Sequence, residues 1–180
     1  MNKNLPSKKK TLMLFDGHSM IFRAWYAIRN PMVLRKTGED IRAVRGFTSS
    51  FLKIVSEFNP SHCAITFDRP EPTFRHHLYK EYKAHRSETP EGLYSQFDRV
   101  KQVAEAFDIP LYELAGYEAD DLLGTLSHIA SEKGLHTIIV TGDTDTLQLV
   151  SPDVSVLLNV GSGNQKMYDA LMVQDRYLGL

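Results

Sequence analysis

Short apolar runs alternate along the chain with segments whose apolar residues recur every three to four positions, and these two periods predict strands and helices in turn. Leu12-Met13-Leu14-Phe15, Ala64-Ile65-Thr66-Phe67 and Thr137-Ile138-Ile139-Val140 have strand composition, and Asp follows each within three residues. Between the first two, Ile21, Phe22, Trp25 and Ile28 form a helical stripe over 18–28, and 30–40 reads as a loop. A second helix over 43–58 carries Val44, Phe47, Phe51, Ile54, Val55 and Phe58 on one face and is ended by Asn59-Pro60. Beyond the second strand, Pro90 is expected at the first position of a helix running to Phe107, with Leu93, Phe97, Val100, Val103, Ala104 and Phe107 inward. Short strands at 110–114, 136–141, 154–158 and 165–168, one or two helical turns at 144–149, a turn at 161–164 and helices at 118–133 and 170–177 complete the pattern, with Gly134 closing the former helix. Strands alternating with helices imply an α/β fold: a mostly parallel sheet, flanked by helices, with right-handed crossovers.

Residues 69–89 break the alternation. The run Phe74-Arg75-His76-His77-Leu78-Tyr79-Lys80-Glu81-Tyr82-Lys83-Ala84-His85-Arg86 interleaves rings with cations. That mixture suits a single nucleic-acid strand, held through its phosphates and stacked bases. Read as a helix, the segment puts Tyr79, Lys83 and Arg86 on one face with Tyr82 adjacent. A solvated basic helix whose rings pack on the domain has the same composition.

Length and charge narrow the class. The 180 residues suit one domain over 11–180 after a polar, lysine-rich tail at 1–10. At a net charge of −1, any affinity for phosphate has to come from local basic clusters. The single cysteine, Cys63, excludes an internal disulfide framework, and its setting suggests a reduced thiol in a buried strand. No apolar run reaches the roughly 20 residues of a membrane span, and 1–10 has no signal-peptide core, so a cytoplasmic enzyme is expected.

Acidic residues carry the candidate chemistry. In an open parallel sheet, ligands bind outside the carboxyl ends of the strands, and that is where these acids fall. Asp16 in Phe15-Asp16-Gly17-His18 fits a ligand or a helix cap, and Gly17 lets the backbone turn away from the strand. Asp68 fits a ligand or a turn residue paired with Arg69. Glu118-Ala119-Asp120-Asp121 opens a helix with more acid than the helix dipole requires, and Gly116 allows close approach of the backbone. Asp143-Thr144-Asp145 places two carboxylates where they can flank one ion. Together these groups repel one another unless cations neutralise them. All-oxygen ligation points to Mg²⁺ or Mn²⁺ and against zinc. Arg23, on the first helix, fits a phosphate contact or a surface ion pair.

Six segments occur in the order and rough spacing of one family: Phe15-Asp16-Gly17-His18 with Arg23; Ala43-Val44-Arg45-Gly46-Phe47; Phe67-Asp68 with Phe74-Arg75; Tyr82-Lys83-Ala84-His85-Arg86; Gly116-Tyr117-Glu118-Ala119-Asp120-Asp121; and Thr141-Gly142-Asp143-Thr144-Asp145. From about Thr11 to Leu180 the chain resembles the 5′ nuclease domain of bacterial DNA polymerase I, of the flap endonuclease superfamily. Arg45 stands where a tyrosine is common, and His85 where an asparagine or glycine is. The resemblance implies a PIN-like, Rossmann-like three-layer fold with a basic helical arch at about 69–89. It implies a two-metal phosphodiesterase that acts as a 5′-3′ exonuclease or flap endonuclease in replication and repair. Its partners would be DNA with a 5′ end or flap, RNA in duplex with DNA, and a polymerase domain. By the same resemblance Asp16, Asp68 and Asp120 serve the first metal with Glu118 nearby, Asp143 and Asp145 serve the second, and Asp121 supports the cluster. Lys83 and Arg86 counter charge on the phosphate, Tyr82 stacks on a base, and Arg23 and Arg75 contact nucleic acid.

In that family a Gly-Asp-x-Ser-Asp-Asn stretch and a helix-hairpin-helix element follow the position of Leu180. The expectation is therefore a catalytic half of weak or no activity until a C-terminal complement completes it. Two alternatives stand beside it: a non-catalytic DNA-binding fragment, which would bind flaps without cutting, and a PIN-type ribonuclease, which would not need the basic insertion.

Overall fold

The computed structural model describes residues 10–85, 88–160 and 164–178. Six strands form one sheet: β1 (Thr11–Asp16), β2 (His62–Thr66), β3 (Leu111–Tyr112), β4 (His136–Thr141), β5 (Val154–Val160) and β6 (Asn164–Tyr168). Their order is β3-β2-β1-β4-β5-β6, with every pair parallel except β5 and β6. The chain builds outward from β1 to β3, then returns to lay β4 on the other side of β1. This makes the gap between β1 and β4 the point where the strand order reverses, and in such sheets ligands bind there.

Helices cover both faces, as a parallel sheet requires. Helices α1 (Gly17–Ala27), α2 (Arg42–Phe58) and α4 (Glu91–Ala106) lie on one side, where Phe47, Phe51, Ile54, Leu93 and Val100 meet Met13, Phe15 and Ile65 of the sheet. On the other side lies α5 (Ala119–Glu132), whose Leu123 joins Leu14, Ile139 and Val156. The chain continues from β4 through a 3-10 helix (Thr144–Leu149) to β5, and α6 (Ala170–Leu178) follows β6. The three-layer arrangement is present, and outside the insertion the expected strands and helices are found among the described residues, most with ends shifted by a residue or two. Exceptions are the third strand, only two residues long, and Pro90, which caps α4 from outside it.

Two facing assignments differ from the periodicity. Phe107 is exposed, because α4 ends at Ala106 and leaves that ring beyond the last turn. Gln96 is fully buried in its stead and works as a cap at a distance: its Oε1 accepts from the N–H of Ala43 at 2.8 Å, satisfying a first-turn donor of α2.

The insertion also departs from expectation. Helix α3 is confined to Phe74–Leu78, and residues 80–85 are turns, so Tyr79 and Lys83 share no helical face. Lys83 has φ 58°, a left-handed conformation that interrupts any helix. Arg86, Ser87, residues 161–163 where a turn is expected, the tail through Lys9 and residues 179–180 lie outside the described residues. No helix among the described residues is long and apolar enough to cross a membrane.

Candidate active site

Acids from four places in the chain line one cavity of about 420 Å³ at the reversal between β1 and β4. Asp16 ends β1, Asp68 follows β2, Asp120 lies in the first turn of α5, and Asp143 follows β4. His18, Ser19, Phe22, Lys83 and Glu118 also line it.

Each carboxylate is placed by a backbone group or a hydroxyl. Asp16 is both cap and wall: its Oδ1 accepts from the N–H of Ser19 at 3.0 Å, and its Oδ2 from the Thr141 hydroxyl at 2.7 Å. Thr141 Oγ1 in turn accepts from the N–H of Asp143 at 3.0 Å, so one hydroxyl sets the spacing of two acids. Asp68 is held by the start of α5, whose Ala119 N–H donates to its Oδ1 at 2.6 Å. The Asp68 N–H donates to His18 Nδ1 at 3.2 Å, which fixes that ring against Phe97. Arg69, the alternative partner for Asp68, pairs with Glu71. Gly17 meets a steric need: a Cβ there would run into the Phe67 ring, and its backbone is ordinary helix. Gly116 reverses the expectation in the other direction, with open space around it but φ 83°.

Crowding changes the acids. Burial, with repulsion from Asp68 and Asp143 added, raises the Asp16 carboxyl to about 6 against the hydrogen bonds from Ser19 and Thr141. Burial, followed by repulsion from Asp16, Asp143 and Asp68, raises Asp120 to about 7. These shifts show that the charges feel one another across the cavity.

Other expected site residues are placed elsewhere. Asp121 is adjacent to Asp120, yet its oxygens accept from both ends of the Arg75 guanidinium at 2.7 and 2.8 Å, and Oδ2 also accepts from the Glu118 N–H at 3.0 Å. Its carboxylate is thereby filled as an anchor, and Arg75 is filled with it. Glu118 is buried and accepts from Lys83 Nζ at 2.7 Å and from the Tyr82 hydroxyl at 3.0 Å. Neighbours on a helix cannot reach one group in this way; the left-handed turn at Lys83 is what lets both side chains converge. Asp145 is exposed and lines the next cavity, with Val173 and Tyr177 of α6. Arg23 faces α2 from the other side of α1 and does not line the acidic cavity.

Ser19, Thr141 and His18 escaped the sequence reading as working residues. Ser19 had a signal, because the third residue after a capping aspartate is where a capped N–H lies. Its hydroxyl also accepts from the Gly142 N–H at 2.7 Å, a contact across 123 residues that no local pattern encodes.

The donor chemistry fits a hard divalent cation. The cavity offers carboxylate oxygens and no thiol, and its one imidazole nitrogen near Asp68 already accepts a backbone N–H. Among the described residues no three His, Cys, Asp or Glu side chains are closed around a common point.

Residues 11–178 match the family described as 5′-3′ exonuclease, N-terminal resolvase-like domain. The chain is 46% identical over 172 residues to DNA polymerase I of Chloroflexus aurantiacus, covering 94% of this chain and 18% of that protein. It thus spans about a fifth of the length of that relative. Its fold is shared with a zinc-bound structure of the 5′-exonuclease of bacteriophage T5, at a TM-score of 0.69 and 19% identity over 95% of this chain and 62% of the other. A structure of the flap endonuclease of the same phage, as a pseudo-enzyme-product complex with DNA and metal ions, gives a TM-score of 0.65 at 19% identity, with coverages of 94% and 60%. With the family match running through all six strands and every helix among the described residues, the chain belongs to the 5′-3′ exonuclease N-terminal resolvase-like domain family.

Proposed function

We propose that this chain is the metal-binding part of a nuclease that hydrolyses DNA phosphodiester bonds from a 5′ end or at a 5′ flap. The observation that carries the reading is the convergence of Asp16, Asp68, Asp120 and Asp143 on one cavity at the β1/β4 reversal, with the Lys83 side chain on its wall. Mg²⁺ or Mn²⁺ bound there would supply an activated water and neutralise charge on the phosphate. Asp16 and Asp68, fixed by Ser19, Thr141 and Ala119, present preset oxygens and so lose little freedom on binding. Asp120 and Asp143 complete the set from the other two walls, and Glu118, which accepts from Lys83 and Tyr82, acts through water as the resemblance implies.

Lys83 supplies the positive charge a phosphate needs once it exchanges Glu118 for the substrate. Tyr82 is released by the same exchange and offers a ring to an unpaired base. Asp121 and Arg75 act as the anchor that ties the insertion to α5. RNA in duplex with DNA and a polymerase domain in the parent protein belong to the same reading.

The test is cleavage of a labelled 5′-flap duplex with Mg²⁺ or Mn²⁺, comparing the chain with Asp16→Asn and Asp143→Asn. Cutting that needs the cation and is lost in both variants supports the reading. Cutting that persists in both refutes it, as does flap binding that neither needs nor responds to the cation.

A further inference from the structure

Two hydroxyls close the seam between β1 and β4 where those strands reach the acids. The strands pair in parallel as far as Phe15 and Val140, and Asp16 and Thr141 are the next residue on each. Thr141 is fully buried, and its one hydroxyl hydrogen goes to Asp16 Oδ2 at 2.7 Å while its oxygen accepts from the N–H of Asp143 at 3.0 Å. Ser19 makes the return link. Its N–H donates to Asp16 Oδ1 at 3.0 Å, and its hydroxyl accepts from the N–H of Gly142 at 2.7 Å. Asp16, Ser19, Gly142 and Thr141 thus form a closed ring of hydrogen bonds and main chain. A Cβ on Gly142 would stand 2.9 Å from Ser19 Oγ, so the start of α1 and the end of β4 are pressed together there.

The ring restrains some acids and leaves another adjustable. Both Asp16 oxygens are engaged, and Asp143 is held through its own N–H and by the N–H of Asp145, which donates to its Oδ1 at 2.9 Å. Among the described residues no hydrogen bond reaches the Asp120 carboxylate, which lies across the same cavity. Asp120 can therefore change rotamer to follow an ion, while Asp16 and Asp143 keep their spacing.

Fixed donors discriminate between cations by size. Mg²⁺ binds oxygen at about 2.0–2.1 Å in a near-ideal octahedron, and Ca²⁺ at about 2.3–2.6 Å in looser arrangements. Oxygens tied across a seam hold one spacing, whereas oxygens on independent side chains follow whichever ion arrives. The Thr141 hydroxyl touches both the Asp16 side chain and the Asp143 backbone, so removing it loosens the two acids at once. That change costs the small, geometry-demanding ion more than the large one.

We infer, resting on the nuclease reading above, that Thr141 is a positioning residue that sets the ion preference of the acidic cavity. With Ser19 closing the ring, it holds Asp16 and Asp143 at a spacing that favours Mg²⁺ over Ca²⁺.

The test is binding of Mn²⁺ to the chain without DNA, read from the electron paramagnetic resonance of the unbound ion, with Mg²⁺ and Ca²⁺ as competitors. The variants are Thr141→Val, Thr141→Ser and Ser19→Ala. Thr137→Val is the control: it lies on the same strand at the end away from the acids, is equally buried, and its hydroxyl has no hydrogen-bond partner among the described residues. Thr141→Val should weaken Mg²⁺ by about tenfold, the worth of one hydrogen bond, and Ca²⁺ by about twofold or less. Thr141→Ser keeps the hydroxyl and should keep the parent ratio of the two ions. Ser19→Ala spares the N–H to Asp16, loses the Gly142 contact, and should shift the ratio the same way by about threefold. Thermal melts show which variants are folded, and Ser19→Ala carries the test if Thr141→Val is not.

An unchanged ratio of the two ions in a folded Thr141→Val or Ser19→Ala chain, with the parent chain still binding Mg²⁺, overturns the inference and leaves the nuclease reading standing. A Thr141→Ser chain that behaves like Thr141→Val, or a shifted ratio in Thr137→Val, overturns it too, because the hydroxyl is then not the cause. A parent chain that binds neither Mn²⁺ nor Mg²⁺ overturns both the inference and the nuclease reading.

Discussion

Removing Arg75 tests whether Asp121 anchors the insertion or serves the cavity. The pair is bidentate at 2.7 and 2.8 Å, and a third contact reaches Glu118 at 3.5 Å. With side chains 31% and 22% exposed, it sits between a surface pair, worth about 0–1 kcal/mol, and a buried one, whose breaking costs about 3–5 kcal/mol. Arg75→Ala should therefore cost about 2 kcal/mol. For a chain of this size that lowers the melting midpoint by about 4–8 °C. Asp121→Ala should cost a similar amount. The double variant should cost little more than either, because each single change already breaks the contact. Thermal and urea melts of the four chains give a coupling energy, expected at about 1–2 kcal/mol. Calorimetric titration of Mn²⁺ then separates the roles: Asp121→Asn should bind the ion like the parent chain, and Asp120→Asn should bind it more weakly. Additive stabilities, or an Asp121→Asn variant that loses the ion as Asp120→Asn does, would refute the anchor.

Three further outcomes follow from the site and its frame. Asp16 is raised to about 6, so between about pH 4 and 6 the folded chain holds a proton the unfolded chain has released; its stabilising contribution is complete below about pH 4 and is lost as pH rises through 6, an effect of about 3 kcal/mol. Urea melts in EDTA should show the parent chain losing stability relative to Asp16→Asn from pH 4 to pH 7.5; a flat difference would contradict the burial of that charge. Adding Mg²⁺ at pH 7.5 should restore about 2.7 kcal/mol at a hundredfold excess over its dissociation constant, and an unchanged melt on addition would count against the cation site. Gly17→Ala forces a methyl into the buried Phe67 ring and should cost about 1–3 kcal/mol in a chemical melt, whereas a neutral result would show that the ring yields freely.

Helices and strands were legible because their signals are short-range. The Phe47, Phe51 and Ile54 stripe is a local period, and the run 136–141 is a strand in any neighbourhood that covers both its faces. The acids at the strand ends were visible for the same reason, since Asp16, Asp68 and Asp143 sit where local patterns stop. The insertion was misread as continuous helix because composition does not show that Tyr82 and Lys83 have a common partner 36 and 35 residues away. Phe107 was placed inward on period alone, although the helix ends one residue earlier.

By itself, then, the sequence determined that strands carry acids at their carboxyl ends, that helices separate those strands, and that one basic, aromatic segment interrupts them. Which acids share a cavity was decided only in three dimensions. Asp120 and Asp121 are neighbours in the chain, but their side chains leave α5 about 100° apart, and the approach of Arg75 claims one of them. Asp16 and Thr141 are 125 residues apart and are joined by a hydroxyl only because β4 returns to lie beside β1. Local periodicity specifies what each segment buries; the strand order specifies which segment ends meet, and there the charges acquire their partners.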